Sequence, residues 1–249
     1  MSKLKLSKRD LALLYYTWQN RFLARRHYQR KFWPELSQSA ASKRLSQLCE
    51  AKLLRQTRLP QMEEAELFSA SYLGNRKLTE IGLIPEKQLM DFPREPSEFR
   101  PTMRHDLTVV DVRIAFEESG ADGSSWVSDH ELRVGRVGRG RNLRTPDGVF
   151  EFEEEEKQFK GVLELELSPY REEKLAPLLR RLKTFYGDHS IFFVCTTAAR
   201  VASFRSWCLK TRIWNDRPRQ IRMAPLAAVR QEGLNSIFVN LCPIEEQKR

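Results

Sequence analysis

A proline-rich segment at residues 84–101, "IPEKQLMDFPREPSEFRP", constrains the fold of this chain more than any other feature. It holds four prolines, at positions 85, 93, 96 and 101. Because proline fixes φ and removes a backbone donor, this spacing excludes a regular helix or a central strand. We therefore predict two domains, residues 1–84 and residues 102–249, joined by a linker at residues 85–101.

The charge of the chain differs between these two parts. Residues 1–90 carry 17 Lys and Arg against 8 Asp and Glu, whereas residues 91–249 carry 26 against 25, within a net charge of +10. A basic part joined to a nearly neutral part is typical of a polyanion-binding module attached to a second domain. A basic surface that serves only solubility is the alternative.

Membrane and secretory signals are missing from the sequence. It has no run of about 18 apolar residues, so we expect no membrane span, and its start, "MSKLKLSKRD", lacks the apolar segment of a secretory signal. No C-x-x-C pair is present, which favours reduced thiols in a cytoplasmic protein. The four cysteines are Cys49, Cys195, Cys208 and Cys242.

The N-terminal part shows three helical patterns followed by two β-like runs. The helical segments are "SKRDLALLYYTWQ", "FLARRHYQRKFW" and "SQSAASKRLSQLCEAKLL", and the β-like runs are "LLRQTRL" and "SASYLGNRKLT". Three helices and a hairpin in this order are typical of a winged helix-turn-helix. The alternative is an ordinary helical domain whose basic face is only solvated.

The third helix would enter the major groove of double-stranded DNA, and the hairpin would lie along the backbone. One side of this helix is apolar, and its other side carries small polar and basic side chains that suit base edges and phosphates. The predicted DNA-contacting residues on this helix are Gln38, Ser42, Lys43, Arg44 and Gln47.

The C-terminal part alternates helices and strands in the order α-β-β-β-α-β, followed by one more helix. This order predicts an α/β (α+β) domain with a mixed sheet flanked by helices. The segments are, in order, "PTMRHDLTVVDVRIAFEES", "SWVSDHELRV", "RTPDGVFEF", "KGVLELELS", "REEKLAPLLRRLKTFYG", "SIFFVCT" and "AARVASFRSWCLK".

Two carboxylates in "LELEL", Glu164 and Glu166, point to the same face of a strand. Like charges at this spacing repel, and burying them is costly. A divalent metal ion shared with Asp147, one hairpin upstream, would explain the pair, since Mg²⁺ takes oxygen ligands and activates water for phosphodiester cleavage. Otherwise the pair is the solvated face of an edge strand, and Asp147 is a turn residue before Gly148.

These residues resemble the motif of the restriction-endonuclease-like (PD-(D/E)xK) nuclease superfamily. Pro146–Asp147 matches its proline-aspartate and Glu164-x-Glu166 its acid-x-lysine, with Glu166 where the lysine usually stands. The blocks "RHDLTVVDVR", "ELR", "RTPDG" and "LELELS" further resemble the plasmid replication-relaxation family and the MobC-type relaxases of mobilisable plasmids. Those proteins combine an N-terminal winged helix with a nuclease-like domain, and the resemblance extends from about residue 7 to about residue 195.

The resemblance implies a metal site with Asp147 and Glu164 as ligands of Mg²⁺ or Mn²⁺. The other residues that it implicates in catalysis are Glu166, the supporting acid Glu131, the helix-borne His105, and Lys174 or Lys183 in the role of the lysine. Each has a simpler interpretation. His105 is more often a capping or core histidine than a catalytic base, and Glu131 is most often an exposed strand residue.

A glycine-rich segment, "GRVGRGRNLR", lies between the first two predicted strands. Arginines among glycines suit a flexible loop that binds DNA phosphates. We therefore add Arg136, Arg139 and Arg141 to the predicted DNA-binding residues. An ordinary exposed loop explains the segment equally well.

Two functions fit the sequence. One is a site-specific DNA-binding protein that nicks or relaxes plasmid or mobile-element DNA for mobilisation or replication. The other is a non-catalytic DNA-binding regulator of transcription or replication with a degenerate nuclease-like domain. We expect double-stranded DNA as the partner, with relaxosome or replication proteins and a second copy of the chain as further candidates. The expected location is the bacterial cytoplasm, at the nucleoid or a plasmid.

Overall fold

The computed structural model describes residues 4–59, 66–89, 102–135, 145–167, 172–211, 213 and 220–238. The chain divides into two compact units. Unit 1 consists of Met1–Val110 with Arg133–Val137, and unit 2 consists of Asp111–Leu132 with Gly138–Arg249.

Unit 1 combines helices with a small antiparallel sheet. Its elements are α1 (Lys8–Gln19), β1 (Phe22–Ala24), α2 (Arg25–Phe32), α3 (Gln38–Glu50), β2 (Leu54–Arg58), β3 (Glu66–Ala70), α4 (Tyr72–Glu80) and a 3-10 turn (Glu86–Gln88). The three strands are ordered β1-β3-β2, and both pairings are antiparallel.

Serine caps fix where α1 and α3 begin. Ser7 precedes α1, where its hydroxyl accepts from the Asp10 backbone N–H at 3.2 Å and the Asp10 carboxylate accepts from the Ser7 N–H at 2.7 Å. Ser37 caps α3 by accepting from the Ala40 N–H at 3.4 Å. Each cap satisfies backbone donors that have no partner within the helix.

Two segments of unit 1 differ from the prediction. The start of the predicted second helix is strand β1, because Phe22–Ala24 pairs with β3. The predicted strand "SASYLGNRKLT" is mostly α4, because the Ser71 hydroxyl accepts from the Gly74 N–H at 3.0 Å and caps a helix there. A Cβ on Gly74 would lie 2.3 Å from the Leu53 carbonyl oxygen, so only glycine lets α4 approach this backbone.

Unit 2 is built around a mixed sheet, as predicted, but the sheet has five strands, and the strand at Ile221–Pro225 was not predicted from the sequence. Helix α5 (Met103–Glu118) enters unit 2 at Asp111, and the division between the units falls within this helix. The following elements are β4 (Ala121–Ser128), α6 (Asp129–Gly135), β5 (Gly148–Glu154), β6 (Lys157–Glu166), α7 (Glu172–Tyr186), β7 (Ser190–Cys195), α8 (Ala198–Thr211), β8 (Ile221–Pro225), α9 (Leu226–Glu232) and α10 (Asn235–Phe238). The last residues of α6, from Arg133 on, belong to unit 1.

The sheet of unit 2 has the order β4-β5-β6-β7-β8. The β4–β5 and β5–β6 pairings are antiparallel, whereas β6–β7 and β7–β8 are parallel. Strand β6 therefore lies in the middle of the sheet and is paired on both sides. The mixed α/β architecture is confirmed.

Both faces of this sheet are covered. On one face the aromatic rings of Phe150 and Phe192 pack with Phe116 of α5, at ring-centroid distances of 5.3 and 5.8 Å from Phe116. On the other face Val162 and Phe193 pack against leucines of α7 and against Phe204 of α8. Side chains of β6 alternate between these two buried layers.

The predicted strand "SWVSDHELRV" ends early. Strand β4 stops at Ser128 and α6 begins at Asp129. The Ser128 hydroxyl accepts from the Glu131 N–H at 3.2 Å, and the Glu131 carboxylate accepts from the Ser128 N–H at 2.9 Å. This reciprocal capping starts a helix, so Glu131 lies on α6 and not on a strand.

Three further predictions concern the interdomain linker, the lack of a membrane-spanning segment and the reduced state of the cysteines. Residues 90–101 of the predicted linker lie outside the described residues, and residues 86–88 form the 3-10 turn. In the part of the chain that the structure describes, no helix is long and apolar enough to cross a membrane. Cys49, Cys195 and Cys208 are thiols not joined in disulfides.

Candidate functional sites

Helix α3 has one buried and one accessible side. Its apolar residues Ala41, Leu45 and Leu48 are buried. Of the residues predicted to contact DNA, Gln38 and Lys43 are exposed, and three are half-buried: Ser42, Arg44 and Gln47. The helical spacing in the sequence thus predicted the accessible side of α3.

Arg25 of α2 links α3 to the sheet of unit 1. Its guanidinium donates hydrogen bonds to the Ser42 hydroxyl and to the Glu66 carboxylate, and it lies over the Phe68 ring at 5.9 Å from the centroid. The Ser42 hydroxyl also donates to the Gln38 carbonyl at 2.7 Å. These contacts fix α3 relative to α2 and β3.

Arg44 binds α1 through a two-point ion pair. Its Nε and Nη2 donate to the two oxygens of Asp10 at 2.9 and 2.6 Å, and its Nη1 donates to Gln47 at 2.9 Å. Asp10 is 2% exposed. Burial alone would raise the pKa of the Asp10 carboxyl, but hydrogen bonds from Arg44 and Ser7 outweigh it and lower the pKa. DNA contact by Arg44 stays a prediction, and its described contacts position α3.

Exposed basic residues on β2 were missed in the sequence. Arg55 and Arg58 are exposed on this strand. The Nε of Arg58 lies 3.7 Å from Oε1 of Glu66, and 76% of the Arg58 side chain is exposed. The signal was present in "LLRQTRL", where two arginines share a short run with Gln56. The loop arginines Arg136, Arg139 and Arg141 lie outside the described residues.

Glu164 and Glu166 lie on the same face of β6, as the strand period predicted, but they are buried. Each is 3% exposed. Their register pairs Glu164 with Phe193 and Glu166 with Cys195 on β7, so the acids are on the face that α7 and α8 cover. The solvated-edge-strand interpretation is therefore wrong, because β6 is an inner strand.

Asp147 lies beside these two residues at the start of β5. Its backbone N–H donates to the Leu163 carbonyl at 3.0 Å, and its Oδ2 accepts from the Leu165 N–H at 2.7 Å. The carboxylate thus continues the ladder between β5 and β6, where it accepts a backbone hydrogen bond. The structure places Asp147 beside the Glu164–Glu166 segment, and their role as metal ligands stays a prediction.

Glu166 forms an ion pair with Arg200 of α8. The Nε of Arg200 donates to both oxygens of Glu166 at 3.0 and 3.1 Å, and Nη2 donates to Oε1 at 2.6 Å. The guanidinium also lies 4.8 Å from the ring centroid of Trp207. Hydrogen bonding to Glu166 raises the pKa of Arg200 above its ordinary value, so the guanidinium is charged at neutral pH.

The thiol of Cys195 is adjacent to Glu166. Burial, followed by the charge and hydrogen bond of Glu166, raises the pKa of Cys195 to about 12. Burial likewise raises the pKa of Cys208 to about 12. Both thiols are therefore protonated at neutral pH and are poor nucleophiles.

The other predicted catalytic residues have separate described contacts. Glu131 caps α6, and the Nδ1 of His105 on α5 lies 3.5 Å from the Asp106 carboxylate. Lys174 is exposed on α7. The Nζ of Lys183 donates to the Ile213 carbonyl at 2.7 Å. Their roles in catalysis stay predictions.

The carboxylates of unit 2 do not fit a divalent metal ion as they are arranged. Asp147 accepts a backbone hydrogen bond, and Glu166 binds Arg200. In the described ranges, no group of three or more His, Cys, Asp or Glu side chains is arranged to hold a metal ion.

Comparison with known proteins assigns the chain to no family. No protein-family model matches the chain, and no curated protein is similar to it. A solved structure, that of the restriction endonuclease FokI, is similar with a TM-score of 0.32 and 10% sequence identity, over 100% of this chain and 49% of that chain. The chain spans about half the length of that endonuclease. This TM-score is too low to establish a shared fold.

Proposed function

We propose that unit 1 is a winged helix-turn-helix that binds double-stranded DNA. Support comes from the element order α1-β1-α2-α3-β2-β3, with β2 and β3 as the hairpin that follows α3. Helices α2 and α3 would be the helix-turn-helix pair, and α3 would enter the major groove. The observation that carries the proposal is the accessible side of α3, which exposes Gln38 and Lys43 next to a basic strand.

Charge makes DNA the best-suited partner for this surface. Residues 1–90 carry nine more Lys and Arg than Asp and Glu. Lys43 and the β2 arginines Arg55 and Arg58 would bind phosphates, which supply most of the salt-dependent affinity. Gln38 has the side-chain amide that pairs with adenine edges. The Asp10–Arg44 ion pair and Arg25 would hold α3 in position for both kinds of contact.

The proposal is tested by measuring affinity for a fluorescently labelled DNA duplex of mixed sequence. Replacing both Lys43 and Arg55 with alanine is expected to weaken binding about tenfold or more, because two phosphate contacts are lost. Circular dichroism checks that the variant is folded. The measurement is anisotropy of the labelled duplex at low salt.

A matched control removes the same charge from unit 2. Lys157 and Lys160 are exposed on β6, and replacing both with alanine is expected to change the affinity by less than about twofold. Equal weakening by the two double variants would mean that net charge, and not the surface of α3, governs binding. That outcome would contradict the proposal.

For unit 2 we propose a restriction-endonuclease-like fold that has lost the ability to cleave DNA. The support is Glu166, which stands in the position of the motif lysine and pairs with Arg200. A lysine in that position would offer its positive charge for phosphodiester chemistry. In this chain the position holds a carboxylate, and the charge of Arg200 compensates that buried carboxylate. The protein would then regulate replication or transcription as a DNA-binding protein.

A second candidate function is metal-dependent nicking or relaxation of plasmid or mobile-element DNA. It is favoured by the position of Asp147 beside the Glu164–Glu166 segment of β6, although Asp147 and Glu166 would have to exchange their present partners for the metal ion. Supercoiled plasmid incubated with the protein and Mg²⁺, Mn²⁺ or EDTA separates the two functions. We expect no metal-dependent nicking. Nicking that disappears in Asp147→Ala and Glu164→Ala would instead establish the second function.

A further inference from the structure

Large apolar side chains are exposed together at helix α4 of unit 1. Tyr72 and Leu73 begin this helix, and Ile81 and Leu83 follow its last residue. Each of the four is between 36% and 43% exposed in the part of the chain that the structure describes. Single exposed apolar residues are ordinary, whereas several within one short stretch indicate an interaction surface. We call these four residues the α4 patch.

The turn after α4 keeps the last two residues of the α4 patch at the end of the helix. The Gly82 N–H donates to the Thr79 carbonyl at 2.9 Å, and the Leu83 N–H donates to the Leu78 carbonyl at 2.9 Å. Gly82 has a φ of 76°, as a helix that ends in a Schellman turn requires. The chain therefore folds back on the last turn of α4 at this point.

The inner side of α4 is separate from this surface. Gly74, Asn75 and Leu78 are the buried residues of the helix. At about 100° per residue, Arg76 and Glu80 lie on the side opposite Leu78, and Tyr72 and Leu73 flank that side. The outer side of α4 thus carries apolar residues at its two ends and charged residues between them.

The charged residues in the middle of this outer side pair with each other within the chain. The Nε of Arg76 donates to Oε1 of Glu80 at 3.2 Å, and the Nζ of Lys77 donates to Oε2 of Glu80 at 3.1 Å. The Arg76 and Glu80 side chains are 57% and 46% exposed. Exposed pairs at this spacing add little to the stability of their own chain, so exchanging the partners between two chains costs little.

The order of residues on this outer side is self-complementary. Leu73 and Leu83 are each five positions from Leu78, and Arg76 and Glu80 are each two positions from it. Two copies of α4 that pack antiparallel, with a two-fold axis at the level of Leu78, would place Leu73 of each copy near Leu83 of the other. The same arrangement places Arg76 of each copy near Glu80 of the other. A two-fold interface requires this kind of self-matching surface.

We propose that the α4 patch is a homodimer interface, in which the α4 helices of two copies of this chain pack antiparallel. The apolar residues at the two ends of α4 are buried against each other. Arg76 and Glu80 form ion pairs between the copies, which fix the antiparallel direction. A surface of this size suits a weak dimer with a Kd of about 10 μM. This inference does not depend on DNA binding by unit 1.

The first test is sedimentation velocity of the full chain without DNA, at concentrations from about 1 μM to about 300 μM. Wild type is expected to change from monomer to dimer over this range. Leu73→Glu is expected to weaken the association about tenfold or more, because it places a charge in the apolar contact. Leu209→Glu is the matched control, since Leu209 of α8 is 48% exposed. It changes the Kd by less than about twofold.

The second test exchanges charges between copies. Arg76→Glu and Glu80→Arg each place like charges opposite each other in the antiparallel dimer, so each protein alone associates about tenfold more weakly than wild type. An equal mixture of the two proteins is expected to form a heterodimer with about the wild-type Kd, because opposite charges meet again. The pair within each chain stays broken, so recovery on mixing reports contacts between copies.

Three results would overturn the proposal: wild type that stays monomeric at the highest concentration, equal weakening by Leu73→Glu and Leu209→Glu, or a mixture that associates no more tightly than its two components. Circular dichroism checks that every variant is folded. If Leu73→Glu does not fold, the mixture of charge variants decides the matter. Recovery of association on mixing then supports the antiparallel dimer, and lack of recovery contradicts it.

Discussion

Replacing Glu117 with alanine is expected to lower the free energy of unfolding by about 4 kcal/mol, because it strips a buried guanidinium of a carboxylate partner. Arg113 is 1% exposed, and its Nε donates to Glu117 at 2.8 Å, one helical turn along α5. Its guanidinium also lies 5.2 Å from the centroid of the Trp126 ring. An aromatic face does not replace an ionic partner. Urea denaturation followed by circular dichroism measures the loss.

Glu118 provides the matched control for this prediction. It is the next residue of α5 but is exposed, so Glu118→Ala is expected to change the free energy of unfolding by less than about 0.5 kcal/mol. Glu117→Gln tests the role of charge, since it keeps the shape of the side chain and is expected to destabilise nearly as much as alanine. If Glu117→Ala were as stable as Glu118→Ala, the description of Arg113 as a buried guanidinium that depends on Glu117 would be contradicted.

Replacing Gly148 with alanine is expected to destabilise unit 2 by about 3 kcal/mol through overpacking. A Cβ at this position would lie 2.5 Å from Cζ2 of Trp126. The indole cannot easily move away, because it stacks on Phe150 at 5.1 Å and packs against Arg113. Thermal unfolding measures the effect, and near-ultraviolet circular dichroism reports displacement of the ring.

Gly135, the last residue of α6, serves as the control glycine. Among the residues that the structure describes, no atom lies within 4 Å of a Cβ built on it, so Gly135→Ala is expected to be neutral or stabilising by up to about 1 kcal/mol. An unchanged Tm for Gly148→Ala would show that β5 does not lie as close to the Trp126 ring as described. The register of β5 would then be in doubt, and with it the placement of Asp147.

The elements with strong periodicity were predictable from the sequence. Helices α1, α3, α5 and α7 and strands β5, β6 and β7 all coincide with predicted segments. Their apolar residues repeat at the spacing of the buried face, and burial of that face decides the local conformation. The mixed sheet followed from their order.

Elements whose conformation depends on distant partners were not predictable. Strand β1 is three residues long and exists because β3 pairs with it, more than 40 positions later in the sequence. Helix α6 depends on the capping pair of Ser128 and Glu131 within a run that alternates like a strand. Long-range pairing and local caps override propensity in such short segments.

The candidate sites were predictable only in part, for the same reason. The strand period placed Glu164 and Glu166 on one face, but their burial depends on α7 and α8 covering β6. Their charge partner was missed because Arg200 lies 34 residues beyond Glu166. Likewise Arg44 was predicted as a DNA-contacting residue, and its ion pair with Asp10, 34 residues earlier, was missed.

DNA binding through α3 is tested most directly by the salt dependence of duplex affinity. The logarithm of the association constant is measured against the logarithm of salt concentration for wild type, Lys43→Ala and the unit 2 variant Lys160→Ala. A lost phosphate contact reduces the magnitude of the slope by about 0.9. We predict this reduction for Lys43→Ala and an unchanged slope for Lys160→Ala. Equal slopes for wild type and Lys43→Ala, or binding that salt does not affect, would contradict the account.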